Sequence, residues 1–328
     1  MRYFLTGITG FIGRRLAQSL SLDGHRVFGT FLGPEMPPEV EAATQGKLWE
    51  ADLLDSAALE AALRLSEPEV LVHLGGLSHV GASWGRMAEY FQVNVLGTES
   101  LLRSLRRVSA EAGVEMPRVV MASSAEVYGL VAESDQPVSE GQMVAPRTPY
   151  ALTKAAAERV ALAAGAVIVR SFNILGPGQA SNFALPSFAA QLAAIAAGEA
   201  PPRLAVGNLE ARRDFIHLDD AVAAYRRVCE AGEPGSIYNL ASSCDRHVSE
   251  LLDHLLQVSG LEVEIVEDPE RMRPVDVPSL CGDASRLQAL GWEPQRTPEQ
   301  AVEALWTSLR NAPYCSSTSP EPGDAGDD

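Results

Sequence analysis

The chain has 328 residues, of which 46% are hydrophobic, and this length suits one large domain or two closely joined domains. Its formal net charge of −17 at pH 7 argues against nucleic-acid binding and against attraction to anionic membranes. An anionic small ligand would therefore have to be held by local arginines or by helix N-termini.

The four cysteines form no CxxC pair and the histidines are not clustered, so the sequence predicts neither a metal site nor a disulfide framework. Reduced thiols are typical of a cytoplasmic protein. The apolar part of the N-terminus is too short for a signal peptide, and no run approaches the roughly 18 apolar residues of a membrane span. We therefore expect a soluble, cytoplasmic protein that does not bind membranes.

The first half of the chain alternates short apolar segments with segments of helical periodicity. Strands are predicted at residues 2–6, 26–30, 69–74, 118–123 and 166–170, and helices at 11–22, 56–65, 90–111 and 149–164. This alternation predicts an α/β fold, a doubly wound parallel sheet (Rossmann) with helices on both faces.

After residue 170 the chain becomes richer in glycine and proline. Helices are predicted at 185–197, 218–230 and 248–260, and a strand at 236–240. We expect residues 1–172 and 214–240 to form the sheet domain and residues 173–213 and 241–311 to form a smaller α/β cap. Residues 312–328 are rich in Ser, Pro, Gly and Asp and are predicted to be a disordered tail.

A glycine-rich turn, TGITGFIG at residues 6–13, follows the first strand and opens the first helix. Glycines at such spacing permit a tight turn, close approach of a pyrophosphate and close packing of the helix on the sheet, whereas glycines alone would indicate only a structural turn. The strand–turn–helix context favours a dinucleotide site. The residues of this turn that are predicted to bind the cofactor are Gly7, Gly10, Phe11, Ile12 and Gly13.

Two later segments support this site. Asp52 and Leu53 follow an apolar stretch, where the carboxylate would hold the adenine amino group, although Asp52 could instead cap the helix that starts near Ser56. Leu74, Gly75 and Gly76 end a strand at the carboxyl edge of the sheet, where small residues let a cofactor lie against the backbone.

The cofactor is expected to be NADP(H) or NAD(H), and the sequence leaves the preference open. The end of the second strand offers only Thr30 and Phe31, with neither the carboxylate that binds the ribose of NAD nor the arginine that binds the 2′-phosphate of NADP. Arg14 or Arg15 could reach such a phosphate, or could be solvated charges on a helix face.

Only two of the 26 cationic Lys and Arg side chains are lysines, and one of them, Lys154, follows Tyr150 by four residues. A lysine in a chain that otherwise uses arginine indicates a role that a guanidinium cannot fill. Residues four apart share a helix face, and an ammonium favours a phenolate, so we expect a lowered pKa for Tyr150 and proton transfer near neutral pH. The alternative is two exposed residues on an amphipathic helix.

Ser124 lies in the run ASSAEVYG (122–129) just past the fourth strand, where ligands bind in such sheets. With Tyr150 and Lys154 it forms a Ser–Tyr–Lys set. Together with the glycine turn, this set resembles the extended short-chain dehydrogenase/reductases. The resemblance implies that Ser124 binds the substrate oxygen, that Tyr150 transfers the proton, and that Lys154 polarises Tyr150 and holds the nicotinamide ribose.

The resemblance extends over residues 2–310. The runs LSHVGASW (77–84), NVLGT (94–98), RSFNILGPGQ (170–179) and RRDFIHLDD (212–220) are similar to nucleotide-sugar epimerases and dehydratases. Within that group FNxxGPGQ, VGNL (206–209) and RMRP (271–274) most resemble the GDP-6-deoxy-D-mannose reductases. A GDP-linked 4-keto-6-deoxy sugar is therefore the expected substrate, and the residues implied to bind it are Ser83, Asn173, Arg213 and Arg273.

The resemblance leaves several points open. The family usually has a histidine in the turn after Asn173, which this chain lacks. Glu126 matches the catalytic base of the dehydratases, but acidic residues also occur there in reductases, so a GDP-mannose 4,6-dehydratase or a 4-epimerase is the alternative. A non-catalytic nucleotide sensor would not need the Ser–Tyr–Lys set. The family also implies a homodimer built on helices 90–111 and 149–164, with Ala151, Ala155 and Ala156 allowing close packing.

Overall fold

The computed structural model describes residues 1–34, 36–272 and 277–311. The strands are β1 (Arg2–Thr6), β2 (Arg26–Phe31), β3 (Leu48–Glu50), β4 (Val70–His73), β5 (Arg118–Ser124), β6 (Val167–Ser171), β7 (Asn173–Leu175), β8 (Arg203–Val206), β9 (Arg212–His217), β10 (Ile237–Leu240), β11 (Asp245–His247), β12 (Glu264–Glu267) and β13 (Ser279–Leu280). The α-helices are α1 (Phe11–Leu22), α2 (Pro38–Thr44), α3 (Ser56–Ser66), α4 (Met87–Phe91), α5 (Gly97–Ala112), α6 (Pro149–Ala163), α7 (Ala184–Ala196), α8 (Leu218–Ala231), α9 (Val248–Ser259), α10 (Ser285–Ala289) and α11 (Pro298–Asn311).

A seven-stranded sheet, with strand order β10-β6-β5-β4-β1-β2-β3 and all pairs parallel, forms the centre of the molecule. Successive side chains on a strand point to opposite faces. Leu5 and Val72 pack with α1, α2 and α8 on one face, whereas Phe4 and Leu71 pack with α3, α5 and α6 on the other. Both faces are therefore apolar, and the predicted doubly wound parallel sheet is confirmed.

A second, smaller hydrophobic core lies among α7, α9 and α11. A four-stranded sheet of β7, β9, β11 and β13 and a two-stranded sheet of β8 and β12 accompany it. Strand β9 therefore pairs outside the large sheet, whereas α8 and β10, which follow it, pack on and join the large sheet. Leu287 and Trp292 also pack in the core of the large sheet. The boundaries proposed for the two domains stay a prediction.

The predicted bounds of β1 and α1 are confirmed, and the other predicted strands and helices of the first half differ by a few residues at their ends. The helix predicted at 90–111 instead consists of α4, a π-helical turn (Gln92–Leu96) and α5. Helix α2 and strand β3 are short and were not predicted. The predicted tail, 312–328, lies outside the described residues.

Candidate active site

The backbone of the turn between β1 and α1 packs closely against the backbone of the residues that follow β4. A Cβ atom on Gly7 would lie 2.8 Å from the backbone of Gly75, and one on Gly13 would lie 2.2 Å from the Gly7 carbonyl oxygen. Gly7 also has a φ of +65°, which favours glycine. Helix α1 begins after Gly10 without a side-chain cap, so its first N–H groups suit an anion. We call Gly7, Gly10, Gly13 and Gly75 the cradle.

The other predicted cofactor residues surround the cradle. A Cβ on Gly75 would lie 3.5 Å from Leu53 Cδ1, and Gly76, with a φ of +150°, could carry no Cβ without a contact of 2.8 Å to Asn94 Oδ1. Phe11 and Ile12 form the start of α1, and Leu74 N donates to the Thr6 carbonyl at 3.3 Å. The structure therefore brings this predicted set together at the carboxyl edge of the sheet.

A buried histidine lies beneath the cradle. His73 Nδ1 contacts Thr6 Oγ1 at 2.7 Å, and His73 Nε2 contacts Thr98 Oγ1 at 2.9 Å. Because the Thr98 hydroxyl donates to the Asn94 carbonyl, Thr98 must accept from Nε2–H, which leaves Nδ1 to accept from Thr6. Thr6 Oγ1 in turn accepts from Gly75 N at 3.2 Å. Burial, and then the charge of Lys154, lower the pKa of His73 to about 3, so the imidazole is neutral.

The adenosine end of the expected site is less well defined. The exposed Asp52 side chain accepts from Leu54 N at 2.8 Å, and the N-cap of α3 is Asp55, so the helix-cap alternative for Asp52 is wrong. Its role toward adenine stays a prediction.

Arg14 and Arg15, on the first turns of α1, both form hydrogen bonds or ion pairs with other groups of the chain. Arg15 donates to Asp219 at 2.7 Å, while Arg14 donates to the Gly178 carbonyl and lies 3.9 Å from Glu39. Neither arginine is a simple solvated charge, and the preference between NAD(H) and NADP(H) stays open.

The predicted Ser–Tyr–Lys set meets where β5 ends and α6 begins. Thr148 caps α6 by accepting from Ala151 N at 3.1 Å, and Pro149 occupies the first helical position, so Tyr150 lies in the first turn. Ser124 lies close enough to Tyr150 that its hydroxyl lowers the pKa of the phenol. Lys154 Nζ donates to the Ala122 carbonyl, two residues before Ser124, at 2.7 Å.

The expected lowering of the Tyr150 pKa is wrong in this structure. Burial raises the pKa of Tyr150, the Ser124 hydroxyl lowers it, and the charge of Glu126 raises it again. Burial also lowers the pKa of Lys154 to about 8, against the opposing charge of Glu158. The phenol therefore carries its proton at neutral pH and is arranged to donate it.

Glu126 lies close to this set. It follows Ser124 by two residues in a 3₁₀ turn (Ala125–Tyr128), its N–H donates to Ser124 Oγ at 3.2 Å, and its charge acts on Tyr150. Gly129 ends this turn with a φ of +69°, and a Cβ there would lie 2.0 Å from the Ala145 carbonyl oxygen.

A cleft of about 660 Å³ is lined by residues of segments 79–84, 173–188, 207–215 and 270–272 and by Val248, and Ser124, Tyr150 and Lys154 are not among its lining residues. Ser124 pairs with Ser171 in the sheet, and the chain then runs two residues further to Asn173 in the cleft wall. On the opposite side, Val80 packs with Tyr150, and the Tyr90 hydroxyl donates to the His79 carbonyl at 2.6 Å.

The predicted substrate residues are placed unevenly around the cleft. Asn173 and Arg213 line it; Asn173 Nδ2 donates to the Asp214 carbonyl at 3.1 Å, and Arg213 Nη1 donates to the Arg212 carbonyl at 2.7 Å. Ser83 is fully buried and its hydroxyl donates to the Val80 carbonyl at 2.6 Å, so it supports the loop rather than lining the cleft. Arg273 lies outside the described residues.

Other cleft residues were not singled out from the sequence. His79 and Trp84 lie in a run that carried the family resemblance, in which only Ser83 was chosen. Arg271 also lines the cleft and donates to Ser187 Oγ at 2.8 Å, although the predicted arginine of that run was Arg273. The start of α7, from Phe183 to Ser187, completes this wall.

No set of three or more metal-binding side chains is grouped together in the part of the chain that the structure describes. Within the same residues, every helix is too short or too polar to span a membrane.

A glycine cradle on a Rossmann sheet, with Ser, Tyr and Lys at its carboxyl edge, defines an extended short-chain dehydrogenase/reductase. Residues 4–305 match the family described as GDP-mannose 4,6 dehydratase. The chain belongs to this family.

Similar proteins agree with this assignment. The chain is 32% identical over 311 residues to the GDP-6-deoxy-D-mannose reductase of Pseudomonas aeruginosa, covering 93% of this chain and 95% of that protein. It is 28% identical to the GDP-mannose 4,6-dehydratase of Vibrio cholerae, covering 93% and 92%. The structure of RMD from P. aeruginosa complexed with NADPH superposes with a TM-score of 0.81 at 30% identity, covering 94% and 99% of the two chains. The chain is an NAD(P)-dependent oxidoreductase, as the sequence predicted.

Proposed function

We propose that this enzyme reduces the C4 ketone of GDP-4-keto-6-deoxy-D-mannose to give GDP-D-rhamnose, using NADH or NADPH. The observation that carries the proposal is the protonated Tyr150 phenol, which packs with Val80 between two residues that line the cleft of Asn173 and Arg213. Similarity to a GDP-6-deoxy-D-mannose reductase over nearly the whole chain supports this choice of reaction.

The cradle suits a dinucleotide because two of its glycines, Gly7 and Gly13, leave no space for a Cβ and because the N-terminus of α1 carries no side-chain cap. Gly7, Gly10 and Gly13 would hold the diphosphate, and Gly75 and Gly76 would lie under the nicotinamide half. When bound, the cofactor supplies the hydride.

The protein groups supply the proton and the charge balance. Tyr150 donates its phenolic proton to the C4 oxygen as the negative charge develops there, and Ser124 donates a hydrogen bond to the same oxygen. The Lys154 ammonium stabilises the phenolate that Tyr150 becomes. Burial, which raises the pKa of Tyr150, keeps the phenol protonated at the start of the reaction, as a reductase needs.

An acidic protein needs local positive charge to hold a nucleotide diphosphate. Arg213 and Arg271 line the cleft, and the first turn of α7 faces it. Arginine makes charge-assisted, bidentate hydrogen bonds with phosphate, so these two residues are the proposed diphosphate ligands. Arg273 remains a predicted third one.

The test is to incubate the purified enzyme with GDP-4-keto-6-deoxy-D-mannose and either reduced cofactor, to follow nicotinamide oxidation, and to identify the product by NMR. We expect stoichiometric oxidation and GDP-D-rhamnose. Absence of oxidation with both cofactors would refute the reductase proposal.

Glu126 favours one second candidate, a GDP-mannose 4,6-dehydratase. Its carboxylate lies near enough to Tyr150 to shift the pKa of the phenol, which is a suitable place for a base that removes a proton next to a ketone. A dehydratase regenerates its cofactor in each cycle. Conversion of GDP-mannose without added cofactor, by protein that carries tightly bound NAD(P), would favour this candidate.

We also infer a homodimer through α5 and α6. The described side chains of Leu96 and Leu152 are 55% and 42% exposed at the start of α5 and on α6. Ala151 is fully buried and Ala155 packs on the core of the large sheet, so these two residues contact their own subunit. Light scattering should give twice the chain mass, and Leu152→Asp should give the monomer mass; a monomeric unmodified protein would contradict the inference.

A further inference from the structure

A buried carboxylate lies on α6 one turn beyond Lys154. Glu158 is 3% exposed and follows Lys154 by four residues, as Lys154 follows Tyr150, so the three side chains share one helix face. Arg170 on β6, 4% exposed, donates to the two Glu158 oxygens at 3.0 and 2.7 Å. Burying such a pair costs desolvation that its attraction often fails to offset, so stability alone is a weak reason for it.

Strand β5 contacts this helix face with three consecutive residues. The Ala122 carbonyl accepts from Lys154 at 2.7 Å, the Ser123 hydroxyl donates to Glu158 Oε1, and Ser124 lies close enough to Tyr150 to lower the pKa of the phenol. Each of the three α6 side chains is therefore tied to the strand that carries the substrate-facing serine. Glu158 is the member of this row farthest from the cleft.

Arg170 is itself held in place. Its guanidinium lies 4.8 Å from the centre of the Tyr128 ring, and the Tyr128 hydroxyl donates to Asn239 Oδ1 at 2.6 Å. Asn239 N donates in turn to Glu140 Oε1 at 2.8 Å. Because the guanidinium cannot move far, the Glu158 carboxylate is fixed relative to Lys154.

We propose that Glu158 is a positioning residue of the proton relay, whose buried carboxylate keeps the Lys154 amine protonated. The proposal rests on the proposed function, because it assigns a partner to Lys154 in the same site. Glu158 is too far along the helix to touch the substrate, so it acts through Lys154.

The charges around Lys154 explain why such a partner is needed. The charge of Glu158 acts on it from α6, and His73 lies near it on β4 as a neutral imidazole. Burial lowers the pKa of Lys154 to about 8, and the charge of Glu158 opposes this change. Without the carboxylate, the amine would lose its proton within the physiological pH range.

The unusual composition of the chain allows a direct test. Protein labelled with ¹³C at lysine Cε should give two signals, from Lys47 and Lys154, and Lys47→Arg assigns them. We expect the pKa of Lys154 to fall by about one pH unit in Glu158→Gln. Glu158→Asp, which keeps the charge, should restore most of the difference. This titration requires no substrate, so it stays informative even if the proposed reaction is wrong.

Two further variants separate the charge from the fold. Glu158→Gln leaves Arg170 as an unpaired buried cation, which could unfold the protein or lower the pKa of Lys154 by itself. The double variant Glu158→Gln, Arg170→Met removes both charges, so the Lys154 pKa should still fall, but by less than in Glu158→Gln. Glu60→Gln, which removes another buried carboxylate paired with arginines, should leave the titration of Lys154 unchanged.

In the reductase assay, the alkaline limb of the kcat profile should move to lower pH in Glu158→Gln and, by less, in the double variant, each by the same amount as the Lys154 titration. An unmoved Lys154 titration in the folded double variant would overturn the proposal, and Glu158 would then be a structural residue only. An inactive unmodified protein with the expected titrations would instead count against the proposed reaction.

Discussion

The cradle and the cleft are built by opposite means. The cradle is made of backbone, mostly from one turn, and its contacts exclude even a methyl group at Gly7 and Gly13. The cleft is lined by apolar and polar side chains from several separate segments, among them the cations Arg213 and Arg271. Added atoms should therefore damage the cradle, whereas lost charge should damage the cleft. Substitutions that separate shape from charge test this difference.

The largest effect on kcat is expected for a change at Tyr150. Tyr150→Phe removes the proton donor and keeps the ring, so kcat should fall by about 10²- to 10⁴-fold, which is typical for loss of a general acid. Cofactor affinity and the melting temperature should change little. Turnover close to that of the unmodified enzyme would show that the proton comes from another group.

The next effect is expected in the cradle. Gly13→Ala places a Cβ 2.2 Å from the Gly7 carbonyl oxygen, and such overpacking costs about 1–3 kcal/mol. Cofactor affinity, measured by fluorescence titration, should fall by about 5- to 150-fold. Gly141→Ala is the control, because the nearest atom to its Cβ would be 3.8 Å away. Equal behaviour of the two variants would contradict the view that the cradle has no spare space.

In the cleft, the effect of a lost charge should be confined to substrate binding. Arg213→Met keeps much of the side-chain volume but removes a cation, so KM for the nucleotide sugar should rise by about 10-fold while kcat is retained. An equal loss in kcat would instead place Arg213 among the groups that act in the transition state.

The smallest effect is expected away from both regions. Arg203 pairs with Glu264 at 2.9 Å, and both side chains are more than half exposed. Arg203→Met should change the free energy of unfolding by less than about 0.5 kcal/mol and leave KM unchanged. It is therefore the control for Arg213→Met, and a rise in KM here would show that total charge, rather than position, controls binding.

The sequence predicted the cradle better than the cleft for the same physical reason. Gly7, Gly10 and Gly13 lie within one strand–turn–helix unit, and the parallel pairing of β1 with β4 brings this unit against Gly75, two residues beyond β4. Ser124 was predicted at the carboxyl edge of the sheet because it follows a strand, and the Ser–Tyr–Lys set that resembles the family joined it to Tyr150. Local pattern and the rules of parallel sheets are sufficient to place the cradle and Ser124.

The cleft depends on contacts between distant segments, which a single sequence does not reveal. Ser83 has the residue type of a ligand, but its hydroxyl bonds to Val80, whereas the neighbouring Trp84 lines the cleft. The direction of the Tyr150 pKa was wrong because burial outweighed every neighbouring charge, and burial of one side chain depends on tertiary packing. The partner role of Glu158 was missed for a similar reason, since its ligands come from β5 and β6.

The hydrogen-bonded imidazole of His73 has a consequence for acid tolerance. An unfolded chain takes up a proton on this ring below about pH 6.5, whereas the folded chain does so only near pH 3. Native structure is therefore favoured by this residue above the ordinary imidazole range, and the benefit disappears as the solution is acidified toward pH 3. The His73 imidazole beneath the cradle should stay neutral at any pH at which the enzyme works. Acidification below about pH 6.5 should lower the free energy of unfolding before this imidazole takes up a proton.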